Sequence, residues 1–442
     1  MHFSRKALMQ LILPLVLEQF LSVAIGMADT IMVSTAGEAA VSGISLVDSL
    51  NILLIQVFSA LATGGAVVCS QYIGRQDRKM ACNAARQLYY SVFFVASLVA
   101  LVCLCFRDGL LRLVFGSIEP DVLVAAQIYI VYSAISYPFL GIYNAGAALF
   151  RSMGNSKVSL IASLIMNVIN IVGNAIFIFG MHMGVAGAAL ATLISRMFGA
   201  VLMTVLLYNN HLQIYLHRLF HMRFDWPIIK SILGIGVPNG LENGMFQIGK
   251  VLVSSLIATF GTTAIAANAV ASNFSSLQVM PGSAIGLAMI TVVGQCMGAG
   301  DTKAAKAYAG KLLLLAMSCV GFLSVLVFFF SPYLMRFYSL TGETADTAVF
   351  LLRIHSVFSI FIWSASFCLP NALRAAGDVR FTMLVSTFSM WLCRIAASYL
   401  LANTFQLGVY GVWYAMVLDW VFRAAFYLWR YFGTKWLRMK VI

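Results

Sequence analysis

Twelve long apolar runs, separated by short polar breaks, constrain this chain more than any other feature. They lie near 8–33, 46–71, 88–106, 122–149, 157–179, 186–209, 228–258, 268–294, 308–330, 345–370, 379–402 and 408–432. A helix needs about 20 apolar residues to cross a bilayer, and these runs are of that order. Inside lipid the backbone must satisfy its own hydrogen bonds, which leaves helices or closed barrels as the only solutions. Barrel strands are about ten residues long and alternate in polarity, and these runs do neither. The sequence therefore predicts an all-α membrane protein with twelve transmembrane helices and short connections.

Composition excludes the main alternatives. Of 442 residues, 61% are hydrophobic and 10% charged, against about a quarter charged in a soluble domain, so a water-soluble enzyme is ruled out. The net charge of +13 would suit nucleic acid only if the basic residues formed a patch. They are instead scattered in twos to fours between the apolar runs, which is a topological signal. Of the 28 Lys and Arg residues, twenty fall in the N-terminus, the even-numbered loops and the C-terminal tail. Three (Arg107, Arg112 and Arg336) fall in odd-numbered loops, and the other five lie within spans. Both termini are thus expected on the cytoplasmic side. Arg5 and Lys6 precede a long apolar run without a small-residue cleavage site, the pattern of a retained first span. The eight cysteines show no CxxC pair or disulfide framework. No GxxxxGK[ST], no GxGxxG after a strand and no HExxH occurs. The expectation is a non-enzymatic protein without a cofactor, driven by an ion gradient.

The two halves match at a constant offset of 224 residues. Pro14, Leu17 and Glu18 fall on Pro238, Leu241 and Glu242; Gln71, Gly74 and Asp77 fall on Gln295, Gly298 and Asp301; Gly184 and Gly187 fall on Gly408 and Gly411. FRSMGNSK at Arg151 matches LRAAGDVR at Arg374 with an offset of 223. Scarce residues in register across six spans argue for duplication. The predicted organisation is a first lobe over 1–210, a cytoplasmic linker over 211–227 and a second lobe over 228–442. Six spans per copy is an even number, so the copies are related by pseudo-two-fold symmetry along the membrane normal.

SQYIGRQD and GQCMGAGD after the second span of each half, ADTIMVSTAG in the first span, and LPLVLEQ paired with VPNGLEN resemble the multidrug and toxic compound extrusion (MATE) transporters of prokaryotes. The match runs along essentially the whole chain. The resemblance implies two six-helix lobes enclosing a cleft, in a bacterial cytoplasmic (inner) membrane. It also implies efflux of amphipathic organic cations in exchange for sodium ions or protons. A second reading is a lipid-linked saccharide flippase, whose cleft would carry several Arg for a pyrophosphate. The expected partners are small amphipathic cations and the lipid bilayer, with no nucleic acid, and a monomer is expected.

Acidic residues at membrane depth are costly and mark function by default. Glu18, Asp29, Glu242 and Asp419 lie within apolar runs, and Asp48 near the start of one. Asp29, Asn170, Asn174 and Thr192 fall at a similar depth of the first lobe, and their oxygens suit sodium or a shielded proton. They also match the family's first-lobe cation site, with Asn174 standing where related members carry Asp. The alternative for the asparagines is interhelical hydrogen bonding. Where NorM-like members carry a glutamate in the seventh span, this chain has Phe246. Glu18 and Glu242 are readable as structural groups beside a proline kink or as substrate-attracting acids. With Met27, Met245, Phe246 and Met280 they make up the expected substrate cleft, bounded by spans 1, 2, 7 and 8. In the second lobe Lys250, Arg353, Arg394 and Arg423 are expected to neutralise Glu242 and Asp419.

Overall fold

The computed structural model describes residues 2–117 and 119–442; the side chains of residues 25 and 27–30 lie outside the description. No strand occurs among the described residues. The long helices are α1 (Arg5–Ser34), α2 (Glu38–Gly74), α3 (Arg78–Cys105), the short α4 (Arg107–Phe115), α5 (Pro120–Ser152), α6 (Ser156–Gly180) and α7 (Val185–Leu207). They continue as α8 (Trp226–Ala258), α9 (Thr262–Gly298), α10 (Thr302–Phe337), α11 (Gly342–Ala375), α12 (Val379–Thr404) and α13 (Gly408–Phe432). Apart from α4, which lies in the connection after α3, each matches one of the twelve runs. Ten of them hold a stretch long and apolar enough to pass as a membrane span by length and composition alone, in α1 within Arg5–Ala24. Of the long helices, α8 and α13 are the two outside that group, and they carry Glu242, Lys250, Asp419, Arg423 and Arg430.

The duplicated turns use the same cap. Asp77 accepts from Met80 N–H at 3.0 Å to start α3, and Asp301 accepts from Ala304 N–H at 2.9 Å to start α10, which satisfies donors that a helix start leaves unpaired. The left-handed residue between helix and cap is Gly300 in the second copy but Gln76 (φ 62°) in the first. The glycine of the first motif, Gly74, simply ends α2.

Backbone contacts divide the chain into two compact units, Ser4–Gly240 and Leu241–Ile442, with Phe3 belonging to the second. In the first unit α5 packs against α2, α3 and α7, and its Tyr137 is fully buried against Phe58 and donates to Asn51 Oδ1 at 2.7 Å. The first half of α8 belongs here because it meets α2 backbone to backbone. A Cβ on Gly64 would stand 2.5 Å from the Ile232 carbonyl oxygen, so the contact requires glycine. The basic connection 211–227 is packed onto α3. Arg78 donates to the carbonyls of Asn210 and Leu212, Gln87 donates to Arg223 O at 2.8 Å, and Tyr90 donates to Leu219 O at 2.7 Å. In the second unit α9 packs on α10 and α11, while α13 packs on α12.

Several spans depart from regular α geometry. In the first unit α6 ends in a π turn, Ala175–Gly180; the second unit has π turns at Ser359–Trp363, Met390–Ala396 and Leu400–Thr404. Such turns recur at functional sites because they re-aim side chains. Pro14, Pro138, Pro238 and Pro281 lie inside continuous helices, while Pro370 restarts α11 after an interruption at Cys368.

Candidate functional site

Four helices of the second unit join their charged side chains into one buried chain. Arg374, in the last turn of α11, donates Nη2 to Glu242 Oε1 of α8 at 2.6 Å. Ser386 of α12 donates to the same oxygen at 2.6 Å and accepts from Arg423 Nη1 of α13 at 3.2 Å. Arg423 Nε donates to Asp419 Oδ1 at 2.8 Å, one turn back on its own helix, and Ser389 donates to that oxygen at 2.5 Å. Arg394 Nη1 stands 3.5 Å from Asp419 Oδ2. Tyr427 braces the centre with its hydroxyl 2.5 Å from Ser386 Oγ and 3.1 Å from Thr382 O. Ionised groups at this depth persist when paired and hydrogen-bonded, and removing one partner of such a pair costs about 3–5 kcal/mol.

This network differs from the sequence expectation at three points. Arg353 takes no part in it: the side chain is exposed, lies over the Phe328 ring at 5.3 Å and directs Nε at Phe328 O at 3.4 Å. Its α11 position turns it away from α13, so Arg353 pairs with neither acid. Lys250 also forms no ion pair among the described residues and lies 5.7 Å over the Phe246 ring. The partner of Glu242 is Arg374, which sequence reasoning had assigned to a loop. The side chain is only 10% exposed because the last turn of α11 is packed against α9. Ser386, Ser389 and Tyr427 carried no charge to attract notice. Their signal was spacing: Ser386 and Ser389 are three residues apart on one face of α12.

Beside Arg394 lies a cavity of about 400 Å³. Lys250 and Arg394 line it together with Phe246, His355, Trp363 and Trp413. Trp363 and Phe367 stack at 5.2 Å, and Arg423 sits between Phe246 and Phe367, 5.4 and 5.3 Å from the two rings. The two π turns at Ser359–Trp363 and Met390–Ala396 supply Trp363 and Arg394 to this wall. Phe246 is thus a cavity residue. Met280, on α9, is buried at 7% exposure, and Met245 is half-buried.

The first unit brings together three of its four expected cation-site residues. Asn174 Nδ2 lies 3.4 Å from Asn170 Oδ1, Asn170 Nδ2 donates to Thr192 Oγ1 at 3.1 Å, and Thr192 donates to Ala188 O at 3.1 Å. The α6 and α7 backbones approach closely here, since a Cβ on Gly173 would lie 2.9 Å from Ala191 Cβ. Asp29 is on α1, but its side chain and that of Met27 fall outside the described residues. Glu18 is half-buried and accepts from Ser159 Oγ at 3.1 Å. A second polar set lies on α2, α5 and α7: Asn51 donates to Asp48 Oδ1 at 3.0 Å, and Arg196 donates to Ser136 Oγ at 2.7 Å.

The MatE family profile matches residues 14–176 and again 238–400, both bounds shifted by the 224 residues of the internal repeat. The chain belongs to the MatE family. It is a multi-pass membrane protein of a family of transporters. Among relatives of this MatE chain, a probable multidrug resistance protein NorM of Thermotoga maritima is 26% identical, over 99% of this chain and 94% of its own. An uncharacterized transporter of Bacillus subtilis, YisQ, is 27% identical, over 94% of this chain and 91% of its own. Among solved structures, a MATE crystal structure in the bent conformation superposes with a TM-score of 0.89 at 20% identity, covering 96% of this chain and 94% of that one. The twelve-helix, two-unit architecture is that of the MATE fold.

Proposed function

We propose that this MatE protein is a secondary active efflux transporter that exchanges small amphipathic organic molecules for sodium ions or protons by alternating access. The observation that carries the reading is the joined set Asn170, Asn174 and Thr192 on adjacent helices, in the unit whose first helix bears Asp29. Two amide oxygens and a hydroxyl are hard, neutral ligands, and one carboxylate would add the charge that a monovalent cation requires. Occupancy that differs between two conformations of the unit would couple the ion gradient to export. Organic cations are the cargo that the resemblance implies, and the names of the multidrug relatives support export of drugs. The protein would act as a monomer in a bacterial inner membrane with both termini cytoplasmic, as the distribution of Lys and Arg supports.

The test is flux in liposomes holding the purified protein, with a sodium or a pH gradient imposed separately. Efflux of a labelled organic ion that follows one gradient and stops when the gradient collapses is the expected result. Equal flux with and without either gradient would overturn the reading.

A further inference from the structure

The charge of the second-unit cavity is opposite to what an organic cation needs. Its wall carries the Lys250 ammonium and the Arg394 guanidinium and, among the described residues, no carboxylate. Two acids face four cations in this part of the molecule. Glu242 takes up Arg374, Asp419 takes up Arg423 at 2.8 Å, and Arg394 shares Asp419 at 3.5 Å. Lys250 has no ion pair among the described residues and meets only the face of Phe246. Arg394 is only 13% exposed and Lys250 is exposed, so the two unneutralised positive charges line an open cavity and attract a counter-ion.

The neutral groups lean the same way. The Trp413 indole N–H can only donate, so its 2.9 Å bond to Asn268 fixes that amide's oxygen on the ring and leaves the NH₂ to a ligand. Arg394 Nε and Ser275 Oγ, both on residues of the cavity wall, are buried without a hydrogen-bond partner among the described residues. The rest of the lining mixes serines and aliphatic side chains with an aromatic cluster, the stacked Trp363 and Phe367 beside Phe246 and Trp420. Unspent donors beside ring faces are what a carboxylate or sulfonate on an aromatic body would use. The volume of about 400 Å³ is in the range of small-molecule sites and small for a lipid-linked saccharide.

We propose that this cavity binds amphipathic organic anions, an aromatic carboxylate or sulfonate held by Lys250 and Arg394 with its ring among Phe246, Trp363 and Phe367. The proposal rests on the export reading, because it makes such anions cargo of the same transporter. Lys250 and Arg394 then serve as specificity-determining residues, while Arg374 and Arg423 are paired with Glu242 and Asp419 away from the cavity wall.

The test uses the full-length protein in nanodiscs and two probes that share one ring system and differ in charge, 2-naphthalenesulfonate and 2-naphthyltrimethylammonium. Equilibrium dialysis should show the sulfonate binding at least tenfold more tightly than the ammonium. Lys250→Gln and Arg394→Gln should each weaken the sulfonate at least tenfold, and Lys250→Glu should reverse the preference. Lys250 has no ion pair to lose, so its variants decide the matter even if Arg394→Gln fails to fold. Equal binding of the two probes by the wild type, or unchanged sulfonate binding in Lys250→Glu, overturns the proposal. Flux of both probes in liposomes separates the two readings. Sulfonate bound but neither probe moved under any gradient leaves the site standing and overturns export; ammonium moved with no sulfonate bound leaves export standing and overturns the site.

Discussion

Arg394 stands 3.5 Å from one oxygen of Asp419, whereas Arg423 holds the other oxygen at 2.8 Å. The carboxylate is thus secured by its own helix, four residues along, and Arg394 is the more loosely engaged of its two cations. Asp419 is fully buried, so losing its charge would leave two guanidinium groups against each other in a dry interior. Asp419→Asn should cost about 3–5 kcal/mol, read as a lower thermal midpoint in detergent. The double variant Asp419→Leu with Arg423→Met removes one of the two opposed guanidinium groups along with the carboxylate and leaves only Arg394 unpaired, so its midpoint should lie above that of the single variant. A single variant as stable as the wild type would show that the pair is idle.

Ser386 is the joint between the Glu242 and Asp419 halves of the chain. Ser386→Ala removes the donor to Glu242 and an acceptor of Arg423, which should cost about 1–3 kcal/mol, the range for leaving buried groups unsatisfied. Tyr427→Phe strips the neighbouring hydroxyl. A double-mutant cycle should give a coupling of about 0.5 kcal/mol or more, as expected for residues of one network; strict additivity would mean that the two hydroxyls act apart.

Asp29→Asn keeps the shape of the side chain and removes its charge. Gradient-driven efflux should fall to background while the amount of folded protein stays near wild type. Thr192→Val, which deletes the acceptor of Asn170, should reduce the same flux roughly tenfold, about 1.4 kcal/mol. Wild-type flux from Asp29→Asn would send the search for the coupling site to Glu18 or Glu242.

Gly64 and Gly240 make a controlled pair. An added Cβ at Gly64 meets backbone at 2.5 Å, whereas one at Gly240 meets only Ala60 Cβ at 3.6 Å. Gly64→Ala should destabilise by about 1–3 kcal/mol through overpacking. Gly240→Ala should be neutral or gain up to about 1 kcal/mol of helix propensity. Thermal midpoints of the two variants check both signs at once.

The spans were legible because an apolar run long enough for a bilayer has one backbone solution, and the repeat was legible from scarce residues such as Glu18 and Glu242 kept in register. The joining of Asn170, Asn174 and Thr192 followed from spacing on two helices. Arg374 was illegible because rules that count loop charges assign it by its neighbours Gly377 and Asp378. What decides its role is the direction of one long side chain, which sequence spacing does not fix. Arg353 failed for the opposite reason. Depth placed it among the acids, but its azimuth on α11 faces Phe328, and depth without azimuth does not define a contact.

The π turn at Met390–Ala396 bears on how the two copies diverged. In the stretch just before it, Arg151 and Arg374, and Ser163 and Ser386, align at an offset of 223 residues, whereas Asp77 and Asp301 upstream and Gly184 and Gly408 downstream align at 224. The later copy has one residue more between Ser386 and Gly408 than the earlier has between Ser163 and Gly184, and the wide turn absorbs it where the matching stretch of α6 stays regular. Each residue of an α-helix advances about 100° around the axis, so an extra residue in a regular helix would rotate everything beyond it, whereas the wide turn takes it up locally and lets the stretch that follows keep its facing. Arg394 lies within that turn, in the register of Asn170. The opposite chemistry of those two positions then lies in the change of residue within the wide turn, with the helix beyond left in phase.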